Sequence, residues 1–198
     1  DEIRRRLILP PDAIVEPETV GWQDLALVHT EDYLRKVRLG KLSVTELAQL
    51  EIPWSEGIAG GFRLMSGGTL MAARQAAAGS PALHIGGGFH HAFADHGEGF
   101  CLFNDVALAI RVLQRDGTAD RAAVVDLDVH HGNGTASIFE ADPTVFTFSM
   151  HQQNNYPMEK PPSTLDIGLV DAAGDEVYLG RLESALPVVM AHASDVLF

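Results

Sequence analysis

The sequence has little cysteine and no long apolar run. Its single cysteine, Cys101, excludes an internal disulfide and is typical of a reducing compartment. No stretch reaches the roughly 18 uninterrupted apolar residues that a membrane-spanning helix needs, and residues 1–6 lack the apolar core of a secretory signal. The sequence therefore predicts a cytoplasmic protein that does not associate with membranes.

Basic residues are also scarce, with 14 lysines and arginines against 27 aspartates and glutamates and a formal net charge of −13. Binding to nucleic acid depends on neutralising phosphate charge, so this balance argues against nucleic-acid binding. The charge is compatible with a cationic substrate, although an acidic surface most often serves solubility. The oligomeric state stays open.

The 198 residues are most simply one domain, residues 1–198, with enough apolar content for a sizeable core. Short apolar strands alternate with helical stretches. This pattern predicts an α/β fold with three layers, in which helices cover both faces of a mainly parallel sheet. In such sheets, functional sites form at the carboxyl ends of the strands.

The boundaries of the elements follow from caps, apolar periodicity and breakers. Helices are predicted to begin at Glu31 after a Thr30 cap and at a Ser43–Glu46 capping box, and to cover about 61–78, 105–116 (capped by Asn104), 135–140 and 175–193, the last kinked at Pro187. Strands are predicted at 82–85, 121–127, 144–149 and 195–198. The polar, proline-containing stretch 152–174 is predicted to be a long loop.

The most informative segment is Asp126–Gly134, which follows a short apolar run. Side chains alternate between the two faces of an extended chain, so those of Asp126, Asp128 and His130 are expected to point to the same side. Carboxylate and imidazole ligands without thiolates suit zinc, and also manganese or iron. A single such residue at a strand end is often only a cap, but three at alternate positions favour a metal site.

A second histidine pair, His90–His91, follows the glycine-rich stretch 86–88. The pair is either structural or, beside a metal, a general base and an electrostatic stabiliser. Asp126 and Asn133 are available to orient these rings. An aspartate partner favours the charged imidazolium, whereas an asparagine leaves its histidine closer to neutral.

Cys101 is expected to be a small buried residue rather than a nucleophile, because no base is positioned for it. Phe100 is expected either in the core or on an apolar channel. The other histidines lack ligand spacing and are expected to be solvated or hydrogen-bonded, with His151 as the strongest exception: His29, His84, His96, His151 and His192.

Three segments in order, 87–92, 99–105 and 126–134, resemble signatures of the zinc-dependent histone deacetylase superfamily. The similarity extends from about Val28 to Phe198. Residues 86–91, together with Asn133 and the stretch 155–157, are most similar to class IV members and their bacterial relatives. The resemblance implies a fold of the arginase–deacetylase type.

The resemblance also implies a zinc site, for which Asp128 and His130 match two of the three ligands. The third ligand, an aspartate, and a tyrosine that stabilises the transition state are expected beyond Phe198, and the first strand of the domain is expected before Asp1. The sequence is therefore expected to be an incomplete domain.

Further roles are implied residue by residue. His90 matches the histidine paired with Asp126, and His91 matches the general acid–base, which Asn133 orients where class I members have aspartate. Two further groups are implied. The acyl-lysine channel matches Gly99, Phe100 and Tyr156. A monovalent cation site, commonly for potassium, matches the carbonyls of Asp126, Asp128, His130 and Met150 with the side chain of Ser149.

The implied function is zinc-dependent hydrolysis of N-acyl amides, acetyl or longer, on lysine side chains. Zinc-bound water would attack the acyl carbonyl, with His91 as general base. Three alternatives stay open: a binuclear manganese enzyme of the arginase type, a hydrolase of small acylated amines such as acetylpolyamines, and an inactive fragment or non-catalytic interaction module. The first would need additional bridging carboxylates.

Overall fold

A parallel sheet with helices on both sides forms the centre of the structure, a computed structural model that describes residues 14–198. In this range the helices are α1 (Trp22–Leu25), α2 (Glu31–Leu39), α3 (Val44–Leu50), α4 (Glu56–Ala77), α5 (Asp105–Arg115), α6 (Asn133–Phe139) and α7 (Asp175–Met190). The strands are β1 (Ala122–Asp126), β2 (Val145–Gln152), β3 (Leu165–Leu169) and β4 (Val196–Leu197).

The four strands are parallel and lie in the order β3-β2-β1-β4. In this register Asp126 pairs with Ser149, and His151 pairs with Gly168. The carboxyl ends of β1, β2 and β3 therefore meet at one edge of the sheet. The loop that follows β1 begins at this edge.

The two faces of the sheet are covered by different helices. Ala122 and Val124 of β1 belong to a core that includes buried residues of α1 to α5. Ala123, between them in the sequence, belongs to a second core with Phe148 of β2 and Val189 of α7. Alternate residues of one strand thus face opposite helical layers. The predicted α/β fold with three layers is confirmed.

Several helices begin where their caps predict. The Thr30 hydroxyl accepts a 3.4 Å hydrogen bond from the Tyr33 N–H, and the Asn104 side chain caps α5. Helix α4 begins five residues before the predicted residue 61, because Ser55 caps it by accepting a 3.1 Å bond from the Ile58 N–H. The glycines near the start of α4 weaken the helical pattern there, so the sequence does not show this boundary.

The strand predicted at 82–85 is wrong. The segment is irregular, and none of the four described strands pairs with it. Leu83 and Ile85 are 86% and 76% exposed. A side-chain contact of 3.0 Å, between Nδ1 of His84 and Oγ1 of Thr69, connects the segment to α4. An apolar run forms a strand only where another strand satisfies its backbone.

The long loop predicted at 152–174 is also wrong in part, because it contains β3. Residues Leu165, Ile167 and Leu169 turn toward the core that contains α7, while the residues between them are exposed. Strand β2 also extends three residues beyond the predicted end at Ser149. The last helix passes through Pro187 and ends at Met190, before the predicted residue 193.

No helix within residues 14–198 has the length and apolarity to cross a membrane. Residues 1–6, which bear on the prediction about a secretory signal, lie outside the described residues.

Candidate active site

The carboxylate of Asp126 connects both histidine-bearing loops. Asp126 is the last residue of β1, and its Oδ2 lies 2.6 Å from Nδ1 of His90. Its Oδ1 accepts a 3.0 Å hydrogen bond from the backbone N–H of Asp128. The side chains of His90 and Asp126 are each only 13% exposed. One carboxylate therefore fixes the position of the His90 ring relative to the end of the strand.

The chain leaves the extended conformation directly after Asp126, which corrects one prediction. Residues 128–130 form a bend, so Asp126, Asp128 and His130 do not share a strand face. The bend forms because the two carboxylates each accept a hydrogen bond from the N–H two residues later, at 3.0 and 2.8 Å. A Cβ at Gly132 would collide with the Asp126 carboxylate, so the turn requires glycine there.

Asp128 and His130 lie at the open side of this bend, with side chains 51% and 38% exposed. Oδ1 of Asp128 lies 2.9 Å from Nδ1 of His130. Two ligand atoms on a tetrahedral zinc ion are about 3.3 Å apart. Both atoms can therefore bind one ion after a small shift, and a carboxylate with an imidazole is a donor set that zinc accepts.

The lowered pKa of Asp128 also favours the binding of a cation. Burial raises the pKa of this carboxyl group, but the N–H of His130 and the positive charge of His90 outweigh burial, so the pKa is lowered. The residue is thus a carboxylate over a wide pH range and is available as a ligand.

His91 is the buried member of the histidine pair and is 5% exposed. Its Nδ1 lies 2.7 Å from Oδ1 of Asn133, the first residue of α6. Burial and the nearby positive charge of His90 lower the pKa of His91 to about 4. Burial acts in the same direction on His90, but the hydrogen bond and charge of Asp126 outweigh it and raise the pKa.

Tyr156 borders the site on the side of His91 and His130. Its ring centroid lies 5.1 Å from that of His91 and 6.1 Å from that of His130, both edge-on. Gly99 has a φ of +52°, and a Cβ there would lie 2.8 Å from the His91 ring. Gly99 and Tyr156 therefore lie against the catalytic candidates, whereas Phe100 is 59% exposed.

Sequence reasoning missed Glu98, whose side chain is only 14% exposed. Its Oε1 accepts hydrogen bonds from Nδ2 of Asn133 at 2.6 Å and from the hydroxyl of Tyr156 at 2.8 Å. Its Oε2 accepts one of 3.0 Å from Nε2 of Gln49. Burial raises the pKa of Glu98, but these bonds outweigh it and the pKa is lowered. Its position beside Gly99 was the one available signal.

The start of α5 holds the histidine loop in place. The carboxylate of Asp105 accepts hydrogen bonds from the N–H groups of Gly88 and Phe89, at 2.9 and 2.7 Å. Nδ2 of Asn104 donates a 3.1 Å bond to the carbonyl of Ala92. Asn104 and Asp105 are fully buried. The sequence predicted Asn104 only as a helix cap, so this second role was missed.

The residues of the predicted monovalent cation site lie partly together. Ser149 is the register partner of Asp126, and Ser149 and Met150 are 2% and 1% exposed. Oγ of Ser149 lies 3.0 Å from Nδ1 of His151. The strand pairing places Ser149, whose side chain belongs to the predicted site, beside the end of β1. Binding of potassium there stays a prediction.

A different group of possible metal ligands consists of His131, His151 and Asp166. One ligand atom from each lies within 4.8 Å of the others, the one such group of three found between residues 14 and 198. Nε2 of His131 lies 3.1 Å from Oδ1 of Asp166. This hydrogen bond links the loop after β1 to strand β3, so the proximity of His131 and Asp166 has a structural explanation without a metal ion. Asp128 and His130 fit a catalytic ion better because they face the open side.

Burial raises the pKa of the Cys101 thiol to about 12, in agreement with a small buried residue that is not a nucleophile. The remaining histidines outside the site form hydrogen bonds, as predicted: His29 with Phe93, His84 with Thr69, His96 with Asp95 and His192 with Ser194.

The sequence was also compared with known proteins. The model of the histone deacetylase domain matches residues 1–197. The chain belongs to the histone deacetylase family. An uncharacterized protein from Picosynechococcus sp. is 40% identical over 192 residues, which cover 96% of this chain and 64% of that protein. Histone deacetylase 2 of Arabidopsis thaliana is 32% identical over 189 residues, which cover 91% and 49% of the two chains.

The fold agrees with that of solved family members. A crystal structure of an HDAC homolog from Aquifex aeolicus matches with a TM-score of 0.82 at 26% identity, over 96% of this chain and 56% of that chain. The predicted arginase–deacetylase type of fold is therefore confirmed. This histone deacetylase family chain spans about half to two thirds of the length of these relatives.

Proposed function

We propose that this chain carries part of a zinc-dependent hydrolase that removes acetyl or longer acyl groups from lysine side chains. One observation supports the proposal above the others. Two adjacent histidines, His90 and His91, have ring centroids 4.0 Å apart, and each Nδ1 contacts a side-chain oxygen. The exposed pair of Asp128 and His130 lies beside them.

Asp128 and His130 would hold the zinc ion, two of the three protein ligands usual in catalytic sites. Zinc bound there would act as a Lewis acid that polarises the acyl carbonyl and lowers the pKa of water. Several similar proteins are named as deacetylases. For this chain, deacetylation is a proposal.

The two histidines would divide the proton chemistry. His91 bonds Asn133 through Nδ1, so its Nε2 is the atom that would take a proton from the attacking water and deliver it to the leaving amine. His90, paired with the Asp126 carboxylate, would carry positive charge toward the oxygen on which negative charge develops. Their opposite pKa directions support this division.

The substitution His91→Ala in the full-length protein tests the proposal. We expect turnover of an acetyl-lysine peptide to fall by about a hundredfold or more, because the general base is lost, while bound zinc, measured by elemental analysis, stays unchanged. His192→Gln is the matched control, since His192 contacts Ser194 and lies outside the site. Unchanged turnover in His91→Ala would contradict the assignment of His91 as general base, whereas no turnover by the unsubstituted protein would favour a non-catalytic module.

A small acylated amine, such as an acetylpolyamine, is the second candidate substrate. A cavity of about 560 Å³ beside Tyr156 is lined by Glu51, Glu98 and Glu159, among others. Three carboxylates favour a cationic substrate over a neutral one. Competition between an acetyl-lysine peptide and an acetylated polyamine, compared by kcat/KM, separates the two substrate classes.

The remaining proposals concern the class of deacetylase, the cellular compartment and binding to nucleic acid. Asn133, where class I members have aspartate, supports placement near class IV and its bacterial relatives. The single cysteine, buried in the structure, supports a cytoplasmic setting. The net charge of −13 supports a protein that does not bind nucleic acid directly.

A further inference from the structure

Glu98 lies behind the residue that orients His91. Its Oε1 accepts the 2.6 Å hydrogen bond from Nδ2 of Asn133, whose Oδ1 lies 2.7 Å from Nδ1 of His91. The three side chains therefore form one continuous row, from a carboxylate through an amide to an imidazole. Asn133 is 2% exposed and His91 5%, so water does not compete strongly for these bonds.

An amide group has a donor end and an acceptor end, and its orientation decides the tautomer of the histidine it contacts. A carboxylate can only accept, so Glu98 requires the NH2 end of Asn133 on its side. The carbonyl end of Asn133 must then face His91. This arrangement makes Nδ1 of His91 the protonated nitrogen and leaves Nε2 free to accept a proton.

The same carboxylate oxygen also accepts the Tyr156 hydroxyl at 2.8 Å. The Tyr156 ring lies edge-on to His91, with 5.1 Å between centroids. Glu98 thus fixes two groups that contact His91 from different sides. Gln49 donates to the other carboxylate oxygen at 3.0 Å and holds Glu98 from the exposed side.

We propose that Glu98 is a positioning residue for His91. Glu98 orients the Asn133 amide and supplies the negative charge that Asn133 itself lacks. The inference rests on the proposed function, because it takes His91 as the general base. Asparagine at position 133 and glutamate at position 98 together provide one carboxylate and one amide. The order of these two groups matters less than having one of each.

This idea is tested by exchanging the two groups. The variants are Glu98→Gln, Asn133→Asp and the double variant E98Q/N133D, all made in the full-length protein and assayed with an acetyl-lysine peptide. In the double variant the carboxylate at position 133 accepts from His91, and the amide at position 98 donates to that carboxylate and to Tyr156. Its carbonyl end still accepts from Gln49.

We expect Glu98→Gln to lower kcat about tenfold with KM changed less than about threefold, because geometry is kept and charge is lost. Asn133→Asp alone should lower kcat about a hundredfold, because two carboxylates would face each other at hydrogen-bond distance. The double variant should recover to within about fivefold of the wild-type kcat, a coupling that independent sites do not show. Multiplied losses in the double variant would overturn the proposal.

Glu183→Gln is the matched control, because Glu183 is exposed on α7 outside the site and its loss removes the same charge. We expect kcat to stay within about twofold of wild type; an equal loss in Glu183→Gln and Glu98→Gln would mean that Glu98 acts only through general charge. Retained activity in His91→Ala would show that the proposed function has failed. If His91→Ala is inactive and E98Q/N133D shows no recovery, the positioning role of Glu98 is rejected and the proposed function is retained.

Discussion

Both ring nitrogens of His29 are used inside the core. Nδ1 donates a 2.9 Å hydrogen bond to the carbonyl of Phe93, and Nε2 accepts one of 3.1 Å from the N–H of Asn104. The residue is 3% exposed. Burial outweighs the backbone carbonyls and lowers its pKa to about 4. The neutral ring joins the start of α5 to the segment after the histidine pair.

Acidification should therefore destabilise the fold through His29. The unfolded chain binds the extra proton at about pH 6.5 and the folded chain only near pH 4. The contribution is complete above pH 6.5 and falls by about 3 kcal/mol as pH drops to 4. Urea unfolding at several pH values measures it. His29→Gln should be less stable at neutral pH but show a shallower pH slope, and an unchanged slope would contradict this account.

Single residues of the site could be predicted where chemistry and adjacency agree. The residue types offered Asp126 and Asn133 as partners for the histidine pair. The family resemblance implied which partner each ring contacts, and the structure contains both pairs. Glu98 was not predictable in this way, because its role depends on contacts with residues 35 and 58 positions away. A lone glutamate before a glycine carries no such information.

Helix α5 begins with two residues that stabilise both the helix and the histidine loop of the candidate active site. Asn104 accepts a 2.9 Å bond from the Ala107 N–H, and its Nδ2 donates to Ala92 and to the hydroxyl of Thr135. Asp105 anchors the glycine-rich stretch on the other side of the histidine pair. The histidine loop is therefore held at both ends by one helix terminus.

Asn104→Ala should cost about 3 kcal/mol of unfolding free energy, since a helix cap and two buried hydrogen bonds are lost together. Thr30→Ala provides the control, because Thr30 only caps α2 and its loss should cost about 1 kcal/mol. Denaturant unfolding of both variants gives the comparison. Equal costs would show that the bonds from Asn104 to the loop contribute nothing to stability.

The elements differ in how well the sequence predicted them. Helices with side-chain caps, such as α2, α3 and α5, begin where their caps indicate. Strand β3 was missed because five residues containing Asp166 and Gly168 carry a weak apolar signal. The segment 82–85 shows the opposite error, since its apolar residues lack a pairing strand among the described residues. Strand pairing is a long-range property that local patterns do not contain.

At the scale of the whole molecule, alternation of strands and helices was enough to predict the three layers. It also placed the loop after β1 at the carboxyl edge of the sheet. The loop with His90 and His91 reaches the same edge through the contact of His90 with Asp126, and no described strand leads into it. The bend after Asp126 could not be predicted from that alternation, since it depends on side-chain carboxylates that capture backbone N–H groups. Regular architecture was accessible from the sequence, and the departure from it at the site was not.

Metal content should identify which group of ligands is used. We expect about one zinc ion per chain in the full-length protein, lost in Asp128→Asn, because Asp128 faces the open side and is a carboxylate. Asp166→Asn, in the group with His131 and His151, should retain zinc. Elemental analysis measures both. If Asp166→Asn lost zinc and Asp128→Asn kept it, the zinc site would instead be the group of His131, His151 and Asp166. Two manganese ions per chain would favour an enzyme of the arginase type.

The adjacency of His90 and His91 has a consequence for the proton inventory of the site. With ring centroids 4.0 Å apart, and with the pKa of His90 raised and that of His91 lowered to about 4, one proton is shared unequally between two neighbouring residues. Between the two pKa values the pair binds one proton, and Asp126 holds it on His90. In the proposed reaction the site would therefore begin with one proton on His90 and with an unprotonated His91 beside it.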